Sequence, residues 1–161
     1  MKGKIGSPGE MKLKTARKHN RGVEIARQLF PGLIIEPPGT WWDRAGIDGF
    51  LDGEPVQIKF DGRMALSGNI YHEVYEKSAY HPEQPWRTAL GKVTHYIFTT
   101  EDTLEIVAVL LSVDSLAVAE RGKPLQCIKP NLGAATSLGY LIPCGQIKQN
   151  AQIKREVKKS G

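Results

Sequence analysis

The chain has 161 residues, 40% of them hydrophobic, and 22 Lys and Arg against 17 Asp and Glu give a net charge of +5. That length accommodates one domain with a sizeable core and requires neither disulfide nor metal for folding. No stretch approaches the roughly 18 to 20 apolar residues of a membrane span, and the Lys-rich start lacks the apolar segment of a secretory signal, so a cytoplasmic protein without a membrane partner is expected.

The charge is unevenly placed. Residues 1–27 carry eight Lys or Arg against two Glu, residues 148–161 carry five against one, and residues 28–147 carry nine against fourteen acids. Basic ends around an acidic centre fit a polyanionic partner such as the phosphate backbone of a nucleic acid, and fit equally well two solvated, solubilising tails. Cys127 and Cys144 stand apart without a CxxC or Cys/His ladder, which argues against structural zinc. Two buried thiols are expected, with a single disulfide left open.

In chain order, Ser7 is a candidate helix cap with Pro8 in the first turn. From Thr15 to Phe30 the residues Ala16, Val23, Ala26, Leu29 and Phe30 fall near one helical face, as one helix or two depending on whether Gly22 interrupts. Pro31-Gly32 ends that segment, and Leu33 to Ile35 is a short strand candidate. Trp41 and Trp42 read as core or loop-packing residues rather than base-stacking platforms, and so does Trp86.

Asp52-Gly53, between two runs of strand formers, predicts a β-hairpin. After it Val56, Ile58 and Phe60 alternate with Gln57, Lys59 and Asp61, which separates a core face from a polar one. A two-residue loop puts Leu51 opposite Glu54 and Asp48 opposite Gln57; a four-residue loop from Asp52 to Pro55 puts Asp48 opposite Lys59. Both loops are even, so Asp48, Gln57 and Lys59 share one sheet face. Further strands are expected at 69–75, 94–100 and 104–111, a helix at 112–121, and short strands near 125–128 and 140–142. Residues 78–88 read as a loop. The mixture predicts an α/β protein.

Glu24 on the first helix, Gly46-Ile47-Asp48-Gly49, the hairpin and Val56-Gln57-Ile58-Lys59 together resemble the PD-(D/E)XK nuclease superfamily, the restriction-endonuclease-like fold. The resemblance covers roughly residues 20–111 and implies a mixed β-sheet core flanked by helices. Asp48 matches the first motif acid, Gln57 the second acidic position, Lys59 the lysine and Glu24 the helix glutamate, with Glu10 as a weaker substitute for Glu24. Gln57 departs from the usual Asp or Glu, although intron-encoded homing endonucleases of this fold include a similar Glu, Asp, Gln, Lys order. Arg21-Gly22-Val23-Glu24 is also similar to the opening helix of Holliday junction resolvases.

The resemblance implies a divalent-metal-dependent DNA endonuclease, sequence-specific in the homing or restriction manner, or else a Holliday junction resolvase. A catalytically silent DNA-binding protein of the same fold is the reading from another class. Mg²⁺, for which Mn²⁺ can substitute, would be held by Asp48, Gln57 and Glu24, while Lys59 orients water or stabilises transition-state charge. Glu73 is a weaker candidate for reaching the metal indirectly, and an ordinary surface role suits it better. His19, His72, His81 and His95 lack metal-ligand or HNH spacing and are expected to be structural.

DNA, duplex or branched, is the expected partner. Lys14, Arg17, Lys18, Arg21, Arg44, Arg63, Arg87, Lys92, Lys154 and Arg155 are the candidate phosphate contacts. The two-fold symmetry of palindromic sites and junctions favours a homo-oligomer, a dimer or tetramer. The expected organisation is a nuclease domain over 1–147, with a basic helical start, and a basic tail over 148–161.

Overall fold

A computed structural model describes residues 8–78, 80–128 and 136–159, with side chains from residue 13 onward. The proposed Ser7 cap and the side chain of Glu10 lie outside the described residues.

The first helix, α1 (Pro8–Leu29), is continuous through Gly22. Gly22, Ile25, Ala26 and Leu29 recur at the spacing of one helical face and are all buried. A Cβ at position 22 would lie 3.0 Å from Thr99 Oγ1 and 3.1 Å from the Phe60 Cβ, so the missing side chain lets the helix descend onto the sheet. That close approach offsets the roughly 1 kcal/mol that glycine costs inside a helix.

Beneath α1 lies a six-stranded sheet built from β1 (Ile34–Ile35), β2 (Gly49–Leu51), β3 (Glu54–Phe60), β6 (His95–Glu101), β7 (Glu105–Ser112) and β10 (Gln152–Val157). Its spatial order is β1-β2-β3-β6-β7-β10. β3 and β6 run parallel and the other neighbours antiparallel, so the sheet is mixed. β6 and β7 are buried along nearly their whole length because both of their faces are covered, and β7 is correspondingly a near-continuous apolar run.

A second sheet comprises β4 (Asn69–Lys77), β5 (Arg87–Thr88), β8 (Gln126–Ile128) and β9 (Thr136–Pro143) in the order β5-β4-β9-β8. Short helices α2 (Trp41–Arg44), α3 (Met64–Ser67) and α5 (Cys144–Ile147) and the longer α4 (Val113–Glu120) complete the described fold. Ser112 caps α4 by accepting the Ser115 N–H at 3.1 Å.

Two cores result. Ile25, Leu29 and Phe30 of α1 and the turn after it pack on Val56, Ile58, Ile97 and Ala108 on one face of the large sheet. On the other face Tyr96, Phe98, Val109 and Leu111 meet Ile70, Leu116, Ile142 and Ile147. Each fully buried side chain of this size contributes about 1.5–3 kcal/mol of transfer free energy. The protein is therefore mixed α/β, with a mixed sheet flanked by helices, and among the described residues no helix is long and apolar enough to cross a membrane.

Three local expectations change. Residues 152–157, read as part of a basic tail, form edge strand β10, which pairs with β7 from Gln152–Leu110 to Val157–Glu105. The 78–88 segment, read as a loop, closes in β5, where Tyr75 pairs with Thr88 and Glu76 with Arg87. Both thiols are free, and Cys127 is exposed rather than buried, because β8 is the outer strand of the small sheet.

Candidate functional site

The hairpin closes with the two-residue loop. Asp52 and Gly53 both adopt positive φ, 51° and 81°, and Leu51 pairs with Glu54. Positive φ at both central residues is the type I′ requirement, which the Asp-Gly pair satisfies. Regular pairing runs back as far as Gly49 opposite Val56. Asp48 lies one residue further, where its N–H donates to the Val56 carbonyl at 2.9 Å and its Oδ2 accepts the Ile58 N–H at 2.7 Å. The carboxylate thus reaches across the position of Gln57 and takes a backbone donor on β3, leaving Oδ1 uncommitted to that bond.

Asp48 is 14% exposed, and His19 of α1 brings Nε2 to 3.9 Å from its Oδ1. Burial pushes the Asp48 carboxyl above its ordinary range, while the Ile58 N–H and the charges of His19 and Lys59 pull it back down. Gln57 and Lys59 are half-buried and lie on the face of β3 opposite to Val56 and Ile58. Their β6 neighbours are Tyr96 and Phe98.

The amide of Gln57 ends against a crossing of two backbone segments. A Cβ on Gly91 would sit 2.5 Å from the Gly46 carbonyl oxygen and 3.2 Å from Gln57 Oε1, so only glycine fits there. Lys92 N–H donates to the Ala45 carbonyl at 3.2 Å and ties the segments together. Gln57 Oε1 is buried there without a hydrogen-bond partner. An orphaned buried acceptor costs about 1–3 kcal/mol, a cost that a water or cation reaching it would relieve. Tyr96, also beside the crossing, has its phenol pushed up by burial, countered by a hydrogen bond from the Gly91 backbone.

Glu24 is not drawn into this group. It is 66% exposed and pairs with Arg21 at 3.0 Å. Arg21 in turn binds Glu101 at the end of β6, and Gln28 binds Glu156 of β10 at 2.8 Å. This flank of α1 faces the β7–β10 side of the sheet, whereas Asp48 lies on the β2 side. The α1 side chain delivered to Asp48 is His19, which the sequence reading assigned a structural role. Nothing in the spacing of His19 signals this, because the rotation of α1 about its axis is set by the sheet beneath it. Glu73 is half-buried on the outer face of β4, opposite in direction to the inward His72.

The ten candidate phosphate-binding side chains separate into two sets. Lys14, Arg17, Lys18, Arg44, Arg63 and Lys92 are exposed, the first three within the 13–20 stretch of α1 in which every side chain is exposed. The other four have partners within the protein, Arg87 and Arg155 while also exposed: Arg21 binds Glu101, Arg87 lies 3.5 Å from Glu76, Arg155 is 2.7 Å from Glu105, and Lys154 lies 4.9 Å above the Phe30 ring; Lys92 of the first set likewise lies 5.9 Å from the Trp41 ring.

A second buried polar group sits between the sheets. His72 of β4 hydrogen-bonds through Nδ1 to Glu120, the last residue of α4. Its ring stands edge-on to Tyr96, with centroids 4.9 Å apart, and its Nε2 is buried without a partner. No protein-family model matches the chain, and no curated protein or solved structure is found similar to it.

Proposed function

We propose that the protein is a metal-dependent endonuclease of the restriction-endonuclease-like superfamily, acting on DNA in the cytoplasm. The observation that carries this reading is the Asp48 carboxylate clasped to β3 at Ile58 N–H beside Gln57 and Lys59. Acid, amide and ammonium then follow the order of the superfamily's motif, with the amide of Gln57 where an acid is usual.

The donors suit a hard divalent cation in kind. Asp48 Oδ1 is outside the Ile58 bond, and Gln57 Oε1 has no partner, so one carboxylate oxygen and one amide oxygen are available. Mg²⁺ commonly keeps several waters and takes one or two carboxylates plus substrate phosphate oxygens. Bound there, the cation would neutralise phosphate charge and lower the pKa of the attacking water. Asp48 and Gln57 would hold it, and Lys59 would stabilise charge developing on the phosphate oxygens. Glu24, held at Arg21, has no part in this version of the site. The exposed Lys14, Arg17 and Lys18 of α1 would grip the backbone next to Asp48, through the helix that also carries His19. A symmetric DNA target would call for a homo-oligomer.

The test is incubation with linear duplex and with a four-way junction, with and without Mg²⁺ or Mn²⁺. Metal-dependent cleavage lost in Asp48→Asn and in Lys59→Ala is the expected result, and cutting that persists in both variants overturns the site. Preference for the junction regardless of sequence would make the enzyme a resolvase; cutting at one linear site would make it a homing or restriction type. A second reading, a silent DNA-binding protein, draws on the neutral Gln57 and the displaced Glu24. Salt-sensitive binding with no cleavage under any metal would support it.

A further inference from the structure

We infer that Trp41 and Trp42 form a stacking platform for an unpaired base of the nucleic-acid substrate, next to the Asp48 site. The inference rests on the proposed nuclease reading for the identity of the ligand and on separate residues for its support.

Both indoles face solvent, Trp41 57% and Trp42 43% exposed, and neither belongs to either hydrophobic core. Single exposed aromatics need no explanation, but two adjacent ones forgo a large burial gain. Their rings meet edge to face with centroids 4.6 Å apart, and Trp42 meets Phe50 of β2 in the same way at 5.5 Å. The mount is firm. Thr40 caps α2 by accepting the Asp43 N–H at 3.2 Å, and Asp43 Oδ2 accepts the Gly39 N–H at 2.8 Å. The Trp42 carbonyl accepts the Ile47 N–H at 2.9 Å, directly before Asp48.

Charge complements the rings. Lys92 Nζ lies 5.9 Å from the Trp41 centroid, and Arg44 at the end of α2 is exposed. At that distance the cation–π contact is near its outer limit, so the ammonium can exchange it for a phosphate. Lys92 belongs to the segment whose Gly91 closes over Gln57, which places rings, cations and candidate site on the same two backbone segments. Aromatic rings flanked by cations are the means by which proteins hold single strands, since every base offers a π-face. A regular duplex hides those faces. The substrate is therefore DNA with unpaired bases near the scissile phosphate, as in a junction, flap or opened duplex.

The experiment is a tryptophan-fluorescence titration of the full chain in EDTA, using a single-stranded oligonucleotide, its duplex, and heparin as a charge-only probe. Single strand is expected to quench emission most. Trp41→Ala should lose most of that quench and weaken single-strand binding about 5- to 150-fold, the range for one stacked base. Trp41→Phe should recover most of the affinity, and Trp86→Phe should keep both quench and affinity. Circular dichroism confirms that each variant is folded. Unchanged single-strand affinity in both Trp41→Ala and Trp42→Ala, or equal quenching by heparin, overturns the platform. A cleavage assay of the parent protein with Mg²⁺, run in parallel, separates the two ideas: a single-strand quench without cleavage sinks the nuclease reading alone, and cleavage without a single-strand quench sinks the platform alone.

Discussion

The Asp48 carboxylate accepts the Ile58 backbone N–H at 2.7 Å, so one side chain both terminates the β2–β3 pairing and presents an acidic oxygen. Structure and chemistry are separable at this residue. Asp48→Asn retains an oxygen for Ile58 and should leave thermal stability nearly unchanged, while metal-dependent cleavage falls at least about 100-fold. Asp48→Ala removes the acceptor as well and should cost an additional 1–3 kcal/mol, roughly, in urea denaturation. Equal activity loss with equal stability loss in both variants would mean that Asp48 acts only through the fold.

Gln57→Glu tests the amide as a ligand. A carboxylate there adds charge to the cation site and should lower the Mg²⁺ concentration giving half-maximal cleavage. Without metal, the same substitution buries a second anion near Asp48, whose carboxyl is already pushed up by burial, so the variant should melt lower than the parent in EDTA. Added Mg²⁺ should reverse that order. A metal requirement identical to the parent's would remove Gln57 from the site.

Arg21, Glu101 and Lys158 join α1, β6 and the residue after β10. Arg21 Nε and Nη2 donate to the two Glu101 oxygens at 3.0 and 2.7 Å, and Lys158 approaches at 3.0 Å. The Arg21 hydrogen bond, with Lys158 helping, lowers the Glu101 pKa from 4.5 to about 2. A depressed folded-state value means that the unfolded chain binds more protons in this window. The stabilisation is therefore complete above about pH 5 and lost as pH falls towards 2. Melting temperature measured between pH 6 and 2 should fall more steeply for the parent than for Glu101→Gln. Arg21→Ala should cost about 1.5 kcal/mol at neutral pH, at the low end for charged hydrogen bonds because Lys158 remains.

His72 and Glu120 form a buried pair that binds β4 to the end of α4. His72→Phe preserves ring contact with Tyr96 and Phe98 but leaves the Glu120 carboxylate without its donor, and should cost about 1–3 kcal/mol. Replacing both residues, as His72→Phe with Glu120→Leu, removes the need for a partner and should cost less than the two single changes added together. A double-mutant cycle by urea denaturation measures the difference, and strict additivity would mean that the pair carries no coupling.

Much of the hairpin was legible because its determinants are local. Asp52-Gly53 specifies the turn, and the alternation from Val56 to Asp61 specifies the core face. The structure selects the two-residue loop. The α1 span, the strands at 95–101 and 105–112 and the capped helix after Ser112 were legible for the same reason. Glu24 was placed by motif order, and its true direction followed from contacts no local pattern contains: Arg21 on Glu101 and Gln28 on Glu156 rotate that flank toward β10.

The opening charge pattern is sharpened in the same way. By itself the sequence determined an α/β chain, basic at both ends, and from turn chemistry and a two-residue period it led to the expectation of an acid, an amide and a lysine on one hairpin face. Only the tertiary structure decided that the basic C-terminal segment is an edge strand, with Lys154 over Phe30 and Arg155 on Glu105, that exposed cations remain on the first half of α1, and that His19 stands beside Asp48. It also exposed all three indoles, Trp41, Trp42 and Trp86, that the sequence had assigned to packing. Periodicity records which faces are apolar over neighbouring residues. Partner choice across 50 or more residues depends on which surfaces meet when the sheet assembles, and that information is distributed over the whole chain.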